Sequence, residues 1–300
     1  MRPIFITSHR KYCDVTTISI PRINDDPADF VTLFKIWNNY HNSDDIELDF
    51  SKCDFLRQNA VAFLGGMISY INMKGGIASI KPETLIHSAV KANLLQNGFL
   101  YAMGEDFPPW DGNSIPYRQD KQQDLQKISR YLEEKWIGKG WLNIHPELSH
   151  EIVSNVLEIY SNAFTHGFSP NGVYSCGQNF PVLEELKLTT IDFGVGIPQS
   201  VRDYLYSIGK SFKISDEETL QLAFQDGFST KPGLGGLGLK LLKDFIQKNE
   251  GQLDIYSCRG HAIIDKNGEQ YESINSFFKG TIVNITLKRD QKFYYLSTKK

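Results

Sequence analysis

The segment GFSTKPGLGGLGLKLLKDFIQKNEG, residues 227–251, restricts the fold most strongly, because a glycine-rich stretch leads directly into an amphipathic helix. From position 239 onward, apolar residues recur at three- and four-residue intervals, which predicts a helix with one apolar face. The free amides at such a helix start, with the positive end of the helix dipole, suit a bound phosphate. The glycines before the helix are Gly233, Gly235, Gly236 and Gly238.

Two common phosphate-binding motifs do not account for this segment. Gly233, Gly235 and Gly238 satisfy GxGxxG, but they follow a loop containing proline and not the strand that a dinucleotide-binding unit requires. A Walker A loop needs lysine at the position that Leu239 occupies. The segment is therefore a glycine-rich loop of another kind.

The composition is that of a globular protein, since 41% of the 300 residues are hydrophobic and 22% are charged, with room for two domains. A formal charge of -3 gives no long-range attraction to nucleic acid, so we expect no nucleic-acid partner. The four cysteines form no CxxC pair, which favours reduced thiols over a zinc site or disulfides. No stretch is apolar enough for a signal peptide or a membrane span, and we expect a cytoplasmic protein.

The first hundred residues read as an α/β unit. Alternating apolar and acidic residues in IELDFSKCDFL (46–56) predict a strand, and AVAFLGGMISYINMKGG (60–76) predicts a helix. A short strand, IASIKP, follows, and strand–helix–strand within such a length predicts parallel pairing. TLIHSAVKANLLQNGF (84–99) is spaced as a second helix that ends at Asn97-Gly98.

A change of composition separates this unit from the rest of the chain. EDFPPWDGNSIP (105–116) combines acidic residues with three prolines and a glycine. Such a density of helix and strand breakers marks a boundary. We therefore expect one domain over 1–108, a linker over 109–116 and a second domain over 117–300.

Two polar features of the second domain are candidate sites. A helix starting near Leu148 or Ser149 places Glu158, Asn162 and His166 on its polar face, and taken alone such a face is more often just solvated. The strand LKLTTID ends at Asp192, and two glycines follow at Gly194 and Gly196. An acid backed by glycines is able to accept a hydrogen bond from an exocyclic amine of a flat ring, although a plain turn also fits.

The N-terminal unit resembles the STAS domain, the fold of bacterial anti-sigma factor antagonists, over roughly residues 15 to 105. The resemblance is carried by LDFSKCDFL, the apolar helix, the strand after Gly76 and the helix ending LLQNGF. Phosphorylatable STAS domains have a serine at the start of the central helix, whereas this chain reads Leu56-Arg57-Gln58-Asn59. The resemblance therefore implies a docking or scaffolding role for this half rather than a phosphoacceptor.

The second half resembles the GHKL ATPase superfamily, which includes histidine kinases and anti-sigma serine kinases, over roughly residues 115 to 290. The resemblance rests on four motifs in order: Glu158…Asn162…His166, Asp192-x-Gly194-x-Gly196, the glycines from Gly233 to Gly238 with Leu239, and Gly280-Thr281. It implies the Bergerat α/β sandwich, and hence an α/β protein made of a STAS-like domain followed by an ATP-binding domain.

The same resemblance implies ATP and Mg²⁺ as ligands and a role for each motif. Asn162 matches the Mg²⁺ ligand and Glu158 the general base, while His166 would contact phosphate or cap its helix. Asp192 matches the adenine-reading aspartate, with Gly194, Gly196 and Thr281 around the base. The lid over the triphosphate would consist of Gly233, Gly235, Gly236, Gly238 and Leu239, with Thr230 and Lys231 near the γ-phosphate.

The use made of ATP stays open between two alternatives. The chain either hydrolyses ATP or transfers its γ-phosphoryl to a protein serine or threonine, or it is a non-catalytic switch whose surface changes when ATP binds. Either alternative implies a regulatory protein partner. Whether the chain forms a homodimer is left open.

Overall fold

The structure is a computed structural model that describes residues 15–165, 167–210, 213–225, 228 and 238–296. It is a mixed α/β protein with one parallel and one antiparallel sheet. No helix in the described ranges has the length and apolar character needed to cross a membrane.

The N-terminal unit contains a parallel three-stranded sheet in the order β1-β2-β3. Its elements are β1 (Thr16–Ser19), α1 (Pro27–Tyr40), β2 (Asp45–Asp49), α2 (Gln58–Met73), β3 (Ile77–Ile80), α3 (Ser88–Gln96) and α4 (Phe99–Ala102). The predicted strand–helix–strand unit is thus present as β2, α2 and β3, with parallel strands. The predicted second helix begins at Ser88 rather than 84, because residues 82–84 form a 3-10 turn.

The C-terminal unit contains a five-stranded sheet in the order β4-β5-β6-β8-β7, in which all neighbouring strands are antiparallel. Its strands are β4 (Ser114–Asp120), β5 (Val173–Phe180), β6 (Glu185–Asp192), β7 (Gln252–Asp265) and β8 (Gly268–Lys288). Its helices are α5 (Leu125–Tyr131), α6 (Pro146–Thr165), α7 (Ile197–Ser207), α8 (Asp216–Ala223) and α9 (Gly238–Asn249). A π-helical turn, Leu132–Trp136, continues α5.

The sheet of the C-terminal unit begins inside the segment expected to be a linker. Ser114 and Ile115 already pair with Gln178 and Gly177 of β5. Pro108 and Pro109 precede this edge strand, and Pro116 lies within it, at the irregularity in register between Ile115 and Arg118. An edge strand tolerates proline because only one of its sides is paired in the sheet.

Strand alternation gives the five-stranded sheet two buried faces. One face packs against α5, α6 and α9 through residues such as Leu186, Leu188 and Val283. The opposite face carries Tyr174, Ile191 and other residues that join the core of the N-terminal unit. The two units consequently share one hydrophobic core, with α1 and α2 lying on the sheet.

The hairpin formed by β7 and β8 extends beyond the other strands. Beyond the five-stranded part, this hairpin holds α1. Phe278 stacks on Phe34 of α1 with centroids 5.0 Å apart, and Asn38 Nδ2 donates to the Phe277 carbonyl at 2.7 Å. The extension thus fastens the N-terminal unit to the sheet.

Candidate functional site

The polar end of the sheet is built around Asp192, the last residue of β6. Its side chain is 4% exposed, and its register partner on β8 is Thr281. The Gly194 amide donates to Asp192 Oδ1 at 2.8 Å. Burial raises the pKa of Asp192 to about 7, while hydrogen bonds from Gly194 and Thr281 act in the opposite direction. The site thus contains a buried carboxylate that changes charge near neutral pH.

The turn after Asp192 requires its two glycines for different reasons. A Cβ at Gly194 would lie 1.8 Å from the Gly167 carbonyl oxygen, so no other residue fits without moving the backbone. Gly196 has φ +84°, in the left-handed region that favours glycine. The turn then enters α7, whose first turn contains Pro198.

Neighbouring segments fix this turn from two sides. On the α6 side, the Val195 amide donates to the Gly167 carbonyl at 2.7 Å. On the β7 side, the Ile197 amide donates to Ser257 Oγ at 2.9 Å, and Ser257 Oγ donates to the Gly280 carbonyl at 2.8 Å. The end of β6, the middle of β7 and of β8, and the end of α6 are therefore joined at one place.

Glu158 and Asn162 lie four residues apart on the same face of α6, and both are partly exposed. Neither side chain forms a hydrogen bond or an ion pair with another described residue. The backbone carbonyl of Asn162 accepts from the Gly167 amide at 2.9 Å, directly before the contact between Gly167 and the Asp192 turn. The structure therefore brings the C-terminal end of α6 to the turn that contains Asp192.

The helix predicted after the glycine-rich loop is present as α9, with Gly238 and Leu239 as its first two residues. It packs on α6, where Asn155 Oδ1 accepts from the Leu242 amide at 3.0 Å. The remaining predicted lid residues and one residue of the α6 motif lie outside the described residues: His166, Thr230, Lys231, Gly233, Gly235 and Gly236.

Several residues of the site were not identified from the sequence. Helical spacing puts Asn155 on the polar side of α6, but it is 5% exposed because α9 covers it. Gly167 and Ser257 carry the contacts that fix the Asp192 turn, and nothing in their sequence surroundings distinguishes them. Gly280, by contrast, was already part of the fourth sequence motif; it lies within β8 with φ +144°, and a Cβ there would be 2.2 Å from the Asp192 carbonyl oxygen. The glycine beside Thr281 is thus required by close strand packing.

The arrangement combines groups with complementary chemistry. Asp192 provides a buried hydrogen-bond acceptor, and Glu158 and Asn162 provide a carboxylate and a carboxamide oxygen without described partners. No group of three or more His, Cys, Asp or Glu side chains suited to a metal ion occurs among the described residues. The described side chains alone therefore do not form a metal-binding site.

Comparisons with known proteins add little to this picture. No protein-family model matches the chain, and no curated protein matches it. A solved structure titled "Mycobacterial sensor histidine kinase MprB" is 19% identical and matches 55% of this chain and 91% of its own, with a TM-score of 0.27. At that identity and TM-score, the likeness assigns neither a family nor a function to this chain.

Proposed function

We propose that this protein binds ATP with Mg²⁺ at the polar end of the five-stranded sheet and acts in signalling. In this proposal it hydrolyses ATP or transfers the γ-phosphoryl to a serine or threonine of a partner protein. The main support is the convergence of the Asp192 turn, Thr281 and the end of α6, joined through the Val195–Gly167 hydrogen bond. The sequence motifs had implied this set for a GHKL-type ATPase.

Asp192 would recognise adenine. Its buried carboxylate is an acceptor for the exocyclic amine, and a hydrogen bond to an ionised, desolvated group discriminates strongly among bases. Gly194 and Gly196 leave the backbone free of side chains beside it. Thr281, opposite Asp192 in the sheet register, would complete the base pocket.

Asn162 and Glu158 would act at the triphosphate of ATP, the first as a Mg²⁺ ligand and the second as a general base. Mg²⁺ keeps several waters and takes phosphate oxygens as ligands, so one carboxamide oxygen from the protein is sufficient, and Asn162 offers one. The bound ion offsets the charge of the phosphates. Glu158, one turn earlier, would accept the proton of water or of the acceptor hydroxyl. The glycine-rich loop, with Thr230 and Lys231, and His166 are proposed to contact the triphosphate.

The STAS-like half is proposed to receive the regulatory partner. The start of α2 is not accessible for this role, since Gln58 and Asn59 are 1% and 0% exposed. Gln58 instead donates to Thr189 and Asn284 of the five-stranded sheet. A partner would therefore meet the outer face of the small sheet, which carries Thr17, Ser19, Glu47 and Ser79.

One observation favours the alternative, a non-catalytic switch. General bases are usually oriented by a further hydrogen-bonding group, and no described residue performs this for Glu158. In a switch, Glu158 would have no chemical role and ATP would act only by changing the surface that the partner meets.

Transfer of a radiolabelled γ-phosphate distinguishes the two alternatives. The wild type, Glu158→Gln and Asn162→Ala are incubated with Mg²⁺-ATP, with and without cell extract. Glu151→Gln is the matched control, because Glu151 lies two turns earlier on the same face of α6. We expect Glu158→Gln to lower phosphate release or transfer by about a hundredfold or more, and Glu151→Gln to leave it unchanged. ATP binding without any phosphate movement supports the switch, and absence of ATP binding refutes the proposal.

The pH dependence of ATP affinity tests the role of Asp192 separately. Because the pKa of Asp192 is raised to about 7 by burial and the ionised form is the better acceptor, affinity should decrease below neutral pH. The decrease approaches about tenfold for each pH unit. Asp192→Asn should bind ATP weakly and lose this dependence, as measured by calorimetric titration between pH 5 and 8. An unchanged profile in the variant would exclude Asp192 as the titrating group.

A further inference from the structure

Phe193, the residue after Asp192, belongs to the opposite face of the sheet. Its ring is 3% exposed and lies among aromatic rings of the N-terminal unit. The centroids of Trp37, Phe63 and Tyr70 are 4.7, 5.7 and 6.4 Å away. Helices α1 and α2 therefore form much of the pocket that holds this ring.

The backbone of α2 fixes the position of the ring. A Cβ at Gly66 would lie 2.1 Å from Phe193 Cε2, so helix and ring are in direct contact with no room for a methyl group. Since protein cores are packed at the density of organic crystals, a shift of α2 is transmitted to the ring.

The ring is one rigid peptide unit away from the groups that would meet adenine. The Phe193 amide donates to Ser169 Oγ at 3.2 Å, and the next amide, that of Gly194, donates to Asp192 Oδ1. Because peptide units are planar, a displacement of Phe193 moves both Asp192 and Gly194. The interface between the two units and the candidate adenine pocket thus lie on opposite faces of the sheet, at the end of β6.

We propose that Phe193 is a positioning residue for the nucleotide site, and that packing of α1 and α2 on its ring sets both the ATP affinity and the preference for adenine. This inference rests on the proposed ATP site and assigns its regulation to the N-terminal unit. A partner that loosens α2 from the sheet would lower the fraction of molecules competent to bind ATP, and the apparent affinity would decrease by the same fraction.

Two adjacent glycines of α2 provide a matched pair of variants. In Gly66→Ala the new methyl group meets Phe193, whereas in Gly65→Ala it meets Tyr117 of β4, with the hydroxyl oxygen 2.3 Å away. Both substitutions place a methyl group in the interface between the units, and both replace an interior helical glycine with alanine. Only Gly66→Ala acts on the residue next to Asp192.

Binding of Mg²⁺-ATP and Mg²⁺-GTP to the full chain is measured for both variants, for Phe193→Ala and for Phe193→Leu. We expect Gly66→Ala and Phe193→Ala to weaken ATP binding by about tenfold or more and to reduce the preference for ATP over GTP. Phe193→Leu should retain part of the ATP affinity and part of the preference for ATP over GTP. The ATP affinity of Gly65→Ala should stay within about threefold of that of the wild type. Thermal unfolding of each variant verifies that it is folded under the binding conditions.

Hydrogen exchange without nucleotide tests the positioning itself. The amides of Gly194 and Val195, which bond to Asp192 and Gly167, should exchange faster in Gly66→Ala than in Gly65→Ala or wild type. Equal changes in the two glycine variants, in exchange or in affinity, would overturn the inference, as would no change in Gly66→Ala. If the wild type binds no ATP, the proposed function fails, and exchange at these two amides alone decides whether Phe193 positions the turn.

Discussion

On the face of the five-stranded sheet that α6 and α9 cover, polar groups gather at the end of β6 and at Thr281 beside it in β8, whereas the face that α1 and α2 cover is packed with aromatic rings. Asp192 belongs to the first face and Phe193 to the second. A buried carboxylate has a high free-energy cost, and it is maintained here on a strand whose other side is densely packed. Under the proposed function, the aromatic face provides stability and the polar face provides the chemistry.

Opposite responses of the two faces to substitution would establish this division. The largest loss of stability is expected on the aromatic face, where Phe34 is fully buried and stacks on Phe278. Phe34→Ala should lower the free energy of unfolding by about 3 to 5 kcal/mol, because it leaves a cavity in the shared core. Urea unfolding followed by fluorescence measures this loss. The control is Tyr206→Ala on α7, which removes a ring that is 80% exposed and should have little effect. Two separate unfolding transitions would show that the units do not share a core.

On the polar face, Asp192→Asn should increase stability above neutral pH. Burial raises the pKa of Asp192 to about 7 in the folded state, from an ordinary value of 3.8. The folded chain thus holds a proton that the unfolded chain has lost between about pH 4 and pH 7, so wild-type stability decreases as pH rises through this window. The free energy of unfolding of Asp192→Asn, measured relative to that of the wild type, should be up to about 4 kcal/mol higher at pH 8 than at pH 4. A constant difference across pH 4 to 8, measured by urea unfolding, would contradict the buried, titrating carboxyl.

A smaller loss of stability is expected on removing the polar contacts of Gln58, which lie within the aromatic face. Gln58 Nε2 donates to Thr189 and Asn284, which also bond to each other at 2.7 Å, and the Oε1 of Gln58 has no hydrogen-bond partner among the described residues. Gln58→Ala should cost about 1 to 3 kcal/mol through lost packing and hydrogen bonds. Gln58→Leu should cost less than about 1 kcal/mol, since it keeps the volume and removes the unpaired oxygen. If leucine is as costly as alanine, the hydrogen bonds and not the volume join the two units here.

The smallest effect on stability is expected at Glu158. Its side chain is partly exposed and has no described partner, so Glu158→Gln should change the free energy of unfolding by less than about 0.5 kcal/mol. The same variant is expected to lose phosphate release or transfer. A large loss of stability in Glu158→Gln would mean that the polar face of α6 is structural after all.

Local elements were predictable because each is encoded by nearby residues. The segment LKLTTID predicted a strand ending at Asp192, and the structure has β6 at Glu185–Asp192. The spacing of apolar residues after Gly238 predicted the helix that the structure shows as α9. The pairing of Asp192 with Thr281 was implied only by the resemblance to a family, since 89 positions separate them in the chain and no local pattern relates such residues.

The sequence by itself determined the periodicity of each element, the two glycines after Asp192 and the order of the polar motifs. Only the tertiary structure decided that the N-terminal unit covers the second face of the sheet, that Asn155 is buried under α9 and that Phe193 packs against Gly66. The reason is physical. The spacing of apolar residues shows that a face of a helix or strand must be covered, but any apolar surface of matching shape satisfies that requirement, and the covering surface is known only when the chain is folded.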